Sequence, residues 1–600
     1  MKGLSCRSTL ARVMVSRMDM TQWWQRANFY QVYPRSFLDT NGDGVGDLKG
    51  ITRRLDYLKS LGIDAIWLCP VYDSPDDDNG YDIRDYYRIH DAFGTMKDMD
   101  RLIAEMAKRD MKLVMDLVVN HCSDEHAWFK KARQSRTDPF HDYFIWHPGR
   151  GLSEPSEAGS PTPPEPNNWG SHFGGSAWEW NEQTREYYLH LFSRKQPDLN
   201  WENPALRRDI YAMMRFWLDK GVGGFRMDVI NYISKDPDLP DVPAQEGKRY
   251  VMDSRYYANR ERTHEHLQEM HREVLSRYPD CMTIGEMHQT SIEEGLKYVN
   301  PERKELSMIF QFEHLSLDSG PRGKYDHPIP WDLPELKKTL SRWQNGLFHN
   351  GWNSLYTGNH DQPRMLSRLG TTDTNDMRKR SAKAIAAAFL LMQGTPFVYQ
   401  GEEIGMTNVS FPSVDQYRDI ETLNFYRDAV QQGMDANAAL EIVHRRSRDN
   451  ARTPMQWSSD AHGGFTSGRP WLSLNPNYPD INVRNDSRDP DGVYVFFKTL
   501  LQERRDQQLW TMGAYDDLAP DHPQIICYAR RLESGEAAYV VVNLSASEAR
   551  WEVPPELTAA YAADRVVLAS PEPPATEAEL SILEPMQVIV SMSPPAVERT

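Results

Sequence analysis

The chain has 600 residues, 40% of them hydrophobic, and a formal net charge of −17. That length exceeds one ordinary core, so at least two domains are expected, and the acidity argues against a nucleic-acid partner. No apolar run is long enough to span a bilayer, which excludes a membrane helix.

The first residues, 1–20, are basic, but Arg7, Arg12 and Arg17 interrupt any apolar core of a secretory signal. They are expected to be a disordered extension, or to reflect a start codon placed before the true start near Met18 or Met20. Five cysteines (Cys6, Cys69, Cys122, Cys281, Cys527) are scattered with no CxxC pair, which suits a reducing cytoplasm. Cys122 follows His121, but neighbours on a strand point to opposite sides, so no Cys/His dyad is expected.

The first strand-like run is NFYQVYP (28–34). The loop after it, DTNGDGVGD, spaces Asp39, Asn41, Asp43 and Asp47 as oxygen ligands among glycines, like the start of an EF-hand loop. Seven more runs follow: IDAIWLCP (63–70), KLVMDLVVN (112–120), VGGFRMDVI (222–230), MTIGE (282–286), SMIFQFE (307–313), WNSLYTGNHD (352–361) and TPFVYQGEE (395–403). Between them, segments such as MKDMDRLIAEMAKRDM carry apolar residues at the helical period. Strand–helix alternation repeated eight times predicts an α/β fold, a (β/α)8 barrel.

The gap between the third and fourth runs is too long for a helix alone. An inserted subdomain is expected at 120–195, between barrel segments 21–119 and 196–512. Its stretch GRGLSEPSEAGSPTPPEPNN reads as an exposed loop. Short alternating runs from QIICYARR to MQVIVSM predict a C-terminal antiparallel β-sandwich over 513–600.

Three of the predicted strands end on acids: Asp228, Glu286 and Asp361, with His121, Arg226 and His360 beside them. In such barrels the strand C-termini carry the chemistry. Arg226 lies two residues before Asp228, so both side chains face the same way and the guanidinium favours an ionised Asp228. Glu286 can hold a proton if its surroundings are apolar. One ionised and one protonated carboxyl are what glycoside hydrolysis requires.

These motifs resemble glycoside hydrolase family 13, the α-amylase family, and within it the group of oligo-1,6-glucosidases, dextran glucosidases, α-glucosidases and sucrose isomerases. The resemblance runs from about Trp23 to the C-terminus through QWW, YQVYPRSF, DLVVNH, QPDLNW, GFRMD, NHD, YQGEEIGM and SRDNARTPMQW. It implies that Asp228 is the nucleophile, Glu286 the acid/base and Asp361 the transition-state stabiliser. It also implies that His121, His360 and Arg226 line the subsite for the non-reducing glucose. Asp78 and Arg448 would close that subsite's far end, with Tyr81, Phe173 and Gln196 completing its wall and Arg452 close by. Retention of configuration would place the two reacting carboxyls roughly 5–5.5 Å apart. The loop at 39–47 would hold a structural Ca²⁺, with the Val45 carbonyl as a further ligand.

Val229, directly after the nucleophile, accompanies α-1,6 specificity in this group, where Thr or Ala accompanies α-1,4. Sucrose isomerases also carry Val but add a basic RLDRY-type segment; the corresponding stretch here, EHLSLDSGPRGKYD, lacks the basic pair, which favours hydrolysis. The group usually continues its acid/base with Met-Pro-Gly, whereas this chain reads GEMHQTS and brings His288 and Gln289 to the entrance. The expectation is an exo-acting, monomeric α-glucosidase acting on small isomalto-oligosaccharides in the cytoplasm, without nucleic-acid or membrane partners. A sucrose isomerase, a transglucosylase and an α-1,4-preferring α-glucosidase are the alternatives on the same fold. A non-catalytic subunit of that fold would lack the acids and carry a membrane helix.

Overall fold

All eight predicted strands form, and they lie in one parallel sheet. The computed structural model describes residues 22–150, 162–321, 323–562 and 565–593. The barrel strands are β1 (Phe29–Val32), β2 (Ala65–Leu68), β3 (Lys112–Val118), β4 (Gly224–Asp228), β5 (Met282–Met287), β6 (Met308–Gln311), β7 (Ser354–Leu355) and β8 (Thr395–Tyr399). Each pairs with its sequence neighbour, and β8 returns to β1 through Phe397 opposite Phe29. The remaining seam, β6 to β7, closes through a bridge between Ile309 and Asn353 and the Ser354 hydroxyl donating to Ile309 O at 2.7 Å. The strands are apolar on both faces because the barrel interior fills one side and helices cover the other. Met282, Ile284, Phe225 and Met227 are all fully enclosed.

Local sequence sets the helices that wrap this sheet. Thr95 and Asp98 form a capping box at the start of Met96–Ala107, and Asn203 caps Pro204–Asp219, whose first helical position is proline. Gly224 opens β4 because the neighbouring backbone comes so close: a Cβ there would stand 2.1 Å from Met282 O.

Between β3 and β4 the chain builds a small antiparallel sheet of Trp146–His147, Glu186–Leu189 and Trp178–Asn181. Its core includes Trp169, Trp178 and Leu189 and continues into Val229 and Tyr232, the residues just beyond β4. The insertion therefore packs directly on the loop after Asp228. Residues 151–161 of the predicted exposed loop and residues 1–20 lie outside the described residues.

The C-terminal part is a five-stranded antiparallel sheet, ordered Ala514–Asp517, Ile525–Arg531, Ala537–Asn543, Val588–Ser593 and Val566–Ser570, with a second ladder joining Ala549–Arg550 to Ile582–Leu583. Buried cations stitch it to the barrel helices by donating to backbone carbonyls. Lys337 donates to Ala519 O, to His522 O at 2.8 Å and to Ile525 O at 2.9 Å. Arg530 reaches Leu391 O at 2.9 Å, beside Leu390 O and Met392 O, which Arg504 holds from within the barrel part at 2.6 and 2.9 Å.

Candidate active site

β4 ends on Asp228 and β5 carries Glu286, so both carboxyls stand at the C-terminal mouth of the barrel. One guanidinium holds them together. Arg226 is 2.6 Å from Asp228, 2.7 Å from Glu286 and 2.7 Å from Asp116, and its side chain is only 1% exposed. Its plane lies near the faces of Trp67 and Tyr81. Asp116, on β3 directly opposite Arg226, also accepts hydrogen bonds from the Trp67 indole at 2.9 Å and the Tyr81 hydroxyl at 3.2 Å.

The surroundings pull the two carboxyls in opposite directions. Burial pushes the Asp228 carboxyl well above the usual range against the pull of Arg226, and the charges of Glu286 and Asp116 add to the rise. Burial acts the same way on Glu286, but Arg226 and His288 outweigh it and bring that carboxyl down to about 2. The reason is geometric: one cation serves three acids, so the two carboxyls titrate as a coupled pair.

Asp361 departs from the predicted strand end. β7 stops at Leu355, and the chain reaches Asp361 through a turn in which the Asn359 side chain accepts the Asp361 N–H at 2.8 Å. Asp361 meets His360 at 3.0 Å, Arg448 at 3.1 Å and Arg452 at 2.7 Å. Burial opposes its ionisation, yet those three cations hold it well below the carboxylate range. Burial likewise opposes the charge on His360, but Asp361 and Cys69 raise the ring to about 10. His360 stacks on Tyr81 with ring centres 5.2 Å apart and contacts Gln31 at 2.8 Å from behind.

His121 lies beyond the end of β3 and is neutral, since burial drives it down to about 4. Its ring sits against Phe192 and contacts Gln196 at 3.2 Å; Gln196 in turn donates to Asp78 at 3.2 Å. Arg448 bridges Asp78 at 3.2 Å to Asp361 and stacks against the Phe173 ring. Arg452 is completely enclosed, over Tyr33 and bonded to His360 O at 2.9 Å, so of the two arginines it is Arg448 that spans the pocket. Every site residue predicted around the acids therefore gathers at one end of the barrel.

Val229 takes a left-handed conformation, φ 34° and ψ 41°, which a β-branched residue adopts only under constraint. Two partners escaped the sequence reading. Asp116 carried a signal, because a lone acid inside the apolar run KLVMDLVV must be paired once buried. Asp419, fully buried 2.6 Å from Arg448, carried none, since its partner comes from a separate helical segment.

The loop at 39–47 is folded on its own peptide groups. Asp39 accepts N–H groups of Asn41, Gly42 and Gly44, Asp47 accepts those of Thr40 and Gly50, and the Asn41 amide donates to Asp43 at 2.9 Å. Three carboxylates, an amide oxygen and the Val45 carbonyl form the all-oxygen donor set that suits a hard dication. Among the described residues, no three or more acids, histidines or cysteines are drawn together as a metal cluster. The donor chemistry fits calcium, and binding would require Asn41 to release Asp43.

The α-amylase catalytic-domain family matches residues 31–513. An oligo-1,6-glucosidase of Parageobacillus thermoglucosidasius is 56% identical over 87% of this chain and 90% of its own. One from Halalkalibacterium halodurans is 54% identical over 90% and 93%. Among solved structures, the trehalulose synthase of Pseudomonas mesoacidophila superposes with a TM-score of 0.87 at 42% identity, covering 96% of this chain and all of that one.

Proposed function

The chain belongs to the α-amylase family, glycoside hydrolase family 13, and on that premise we propose that it is a retaining, exo-acting α-glucosidase that removes glucose from the non-reducing end of α-1,6-linked oligosaccharides. The observation that carries this reading is the pair Asp228 and Glu286 on one guanidinium, facing a pocket whose far end is shut by Arg448 between Asp78 and Asp361. In this reading the charged bridge bounds the subsite behind one glucose, so the chain end, not the chain middle, is cut. Relatives at 56% and 54% identity that bear the name oligo-1,6-glucosidase support the linkage.

The chemistry follows from the carboxyls. A bound glycosidic oxygen accepts a hydrogen bond only from a protonated Glu286, so the reactive form carries the proton on Glu286 and leaves Asp228 ionised against Arg226. Glu286 then protonates the leaving oxygen while Asp228 attacks the anomeric carbon. Water, deprotonated by Glu286, breaks the β-glucosyl-enzyme, and two inversions return the α configuration. Asp361, kept ionised by three cations, faces the ring whose positive charge grows in the transition state.

The loop at 39–47 serves as a calcium staple in this reading, with Asp39, Asn41, Asp43, Val45 O and Asp47 as ligands and no contact with substrate. The four described cysteines are free, three of them buried, which supports residence in a reducing compartment. No helix among the described residues is long and apolar enough to cross a membrane.

Incubation with isomaltose, panose, maltose and sucrose tests the function. Glucose from isomaltose and from the non-reducing end of panose is expected, with initial release as the α anomer. Isomaltulose as the main product from sucrose overturns the hydrolase reading in favour of an isomerase.

A further inference from the structure

His288 stands two residues beyond Glu286, at the end of β5, and its ring is the titratable group that the reaction above leaves unused. Its Nε2 lies 3.6 Å from Glu286 Oε1, the oxygen that Arg226 does not hold. Arg226 and the Val229 N–H both address Oε2. The ring stacks on Phe312 with centres 4.3 Å apart and planes at 15°, which fixes its orientation. Its backbone is also held: Asn231 donates to His288 O at 2.9 Å, and Asn259 donates to the carbonyl of Gln289, a residue at φ 52°. Glu286 is 6% exposed while the His288 side chain is 38% exposed, so the imidazole covers the solvent side of a buried carboxyl.

We propose that His288 is a positioning residue for the acid/base: it holds the free oxygen of Glu286 toward the leaving group and couples that carboxyl to solvent protons. This rests on the glucosidase reading of the same site. Oε1 is the oxygen left to meet a glycosidic bond, and the His288 ring nitrogen is its neighbour at 3.6 Å. At 3.6 Å the ring is a charge neighbour of Oε1 and not a hydrogen-bond donor to it, and a positive charge on the imidazole favours ionised Glu286. The other groups facing His288 are Tyr232, on the segment after β4 with ring centres 6.2 Å away, and the His172 ring of the insertion. Neither supplies a carboxylate that competes with Glu286 for the imidazole.

The test is kcat/KM against pH for wild type, His288→Phe and His288→Gln, on isomaltose and on p-nitrophenyl α-glucoside. Phe keeps the stack on Phe312 and removes the nitrogen; Gln keeps a donor without the charge. In H288F the basic limb, which reports loss of the acid's proton, should move up by roughly half to one unit with the acidic limb in place. H288Q should fall between H288F and wild type. The kcat of H288F should drop more on isomaltose than on the nitrophenyl glycoside, whose leaving group needs little protonation. If both variants change KM alone and leave both limbs where they are, His288 is only a wall of the entrance and the proposal fails. If the wild type releases no glucose from isomaltose, the glucosidase reading fails instead, and the nitrophenyl profile still measures the coupling.

Discussion

The backbone N–H of Val229 donates to Glu286 Oε2 at 3.2 Å, so the residue that follows one reacting acid steadies the other. It can do so because Val229 turns left-handed immediately after β4, aiming its amide across to β5. Its side chain, 3% exposed, meanwhile joins the core of the inserted sheet. Backbone and side chain thus have separable duties. Val229→Thr preserves β-branching and the amide while putting a hydroxyl into the packing between the inserted sheet and the loop after Asp228. The maltose-to-isomaltose rate ratio should rise roughly tenfold, with turnover of isomaltose retained. An unchanged ratio in steady-state kinetics would remove Val229 from the specificity argument.

Arg448 binds Asp78, Asp361 and Asp419 at once. Arg448→Gln strips the cation from three buried or half-buried acids. Breaking such a pair costs about 2–5 kcal/mol, which predicts a fall in kcat/KM on isomaltose of at least about thirtyfold, carried largely by KM. A variant that keeps its KM would show that the bridge does not bound the sugar subsite.

Three enclosed histidines, His121, His126 and His314, and the half-buried His172 are each driven down to about 4 by loss of hydration. Their folded values lie below the unfolded value near 6.5. The unfolded chain therefore takes up more protons between those values, and stability must fall as pH drops from about 6.5 to 4. His360, raised to about 10, acts in the opposite sense: its contribution is present below about 6.5 and is lost as pH rises through 10. Melting temperature measured across pH should fall steeply on the acid side of neutrality. A flat profile from pH 4 to 6.5 would contradict the burial of these rings.

Chelation separates a staple from a cofactor. With the loop at 39–47 remote in role from the carboxyls, a chelator should lower the melting temperature and leave kcat at 25 °C unchanged. Loss of turnover without loss of stability would assign the metal to the reaction.

The barrel was legible because its strands are short apolar runs at regular intervals, and the site because its acids close those runs. Asp228 and Glu286 could be named from their strand ends alone. How many acids share one cation could not. Arg226 and Asp228 are two residues apart, and that proximity suggested an exclusive pair. In the fold, adjacent strands bring Glu286 and Asp116 to the same guanidinium, and the exclusive pair becomes a four-group cluster. Asp361 shows the same limit on a smaller scale. Its run read as continuous strand, but the Asn359 turn ends the ladder early and presents Asp361 from a loop. Both features depend on partners that no local pattern announces.

The joint between the barrel helices and the C-terminal sheet has a consequence for how the molecule comes apart. Lys337 and Arg530 are met there by peptide carbonyls, which neither titrate nor exchange one counterion for another. Acid cannot neutralise such acceptors, and the burial of the cations shields them from dissolved salt. Pulling the sheet away would strip Lys337 of its three carbonyl acceptors and Arg530 of Leu391 O, a penalty of several kcal/mol for the stranded ammonium. The two parts should therefore melt in a single calorimetric transition at low and high ionic strength alike, and a chain cut after the barrel should lose its helices' outer support along with the sheet.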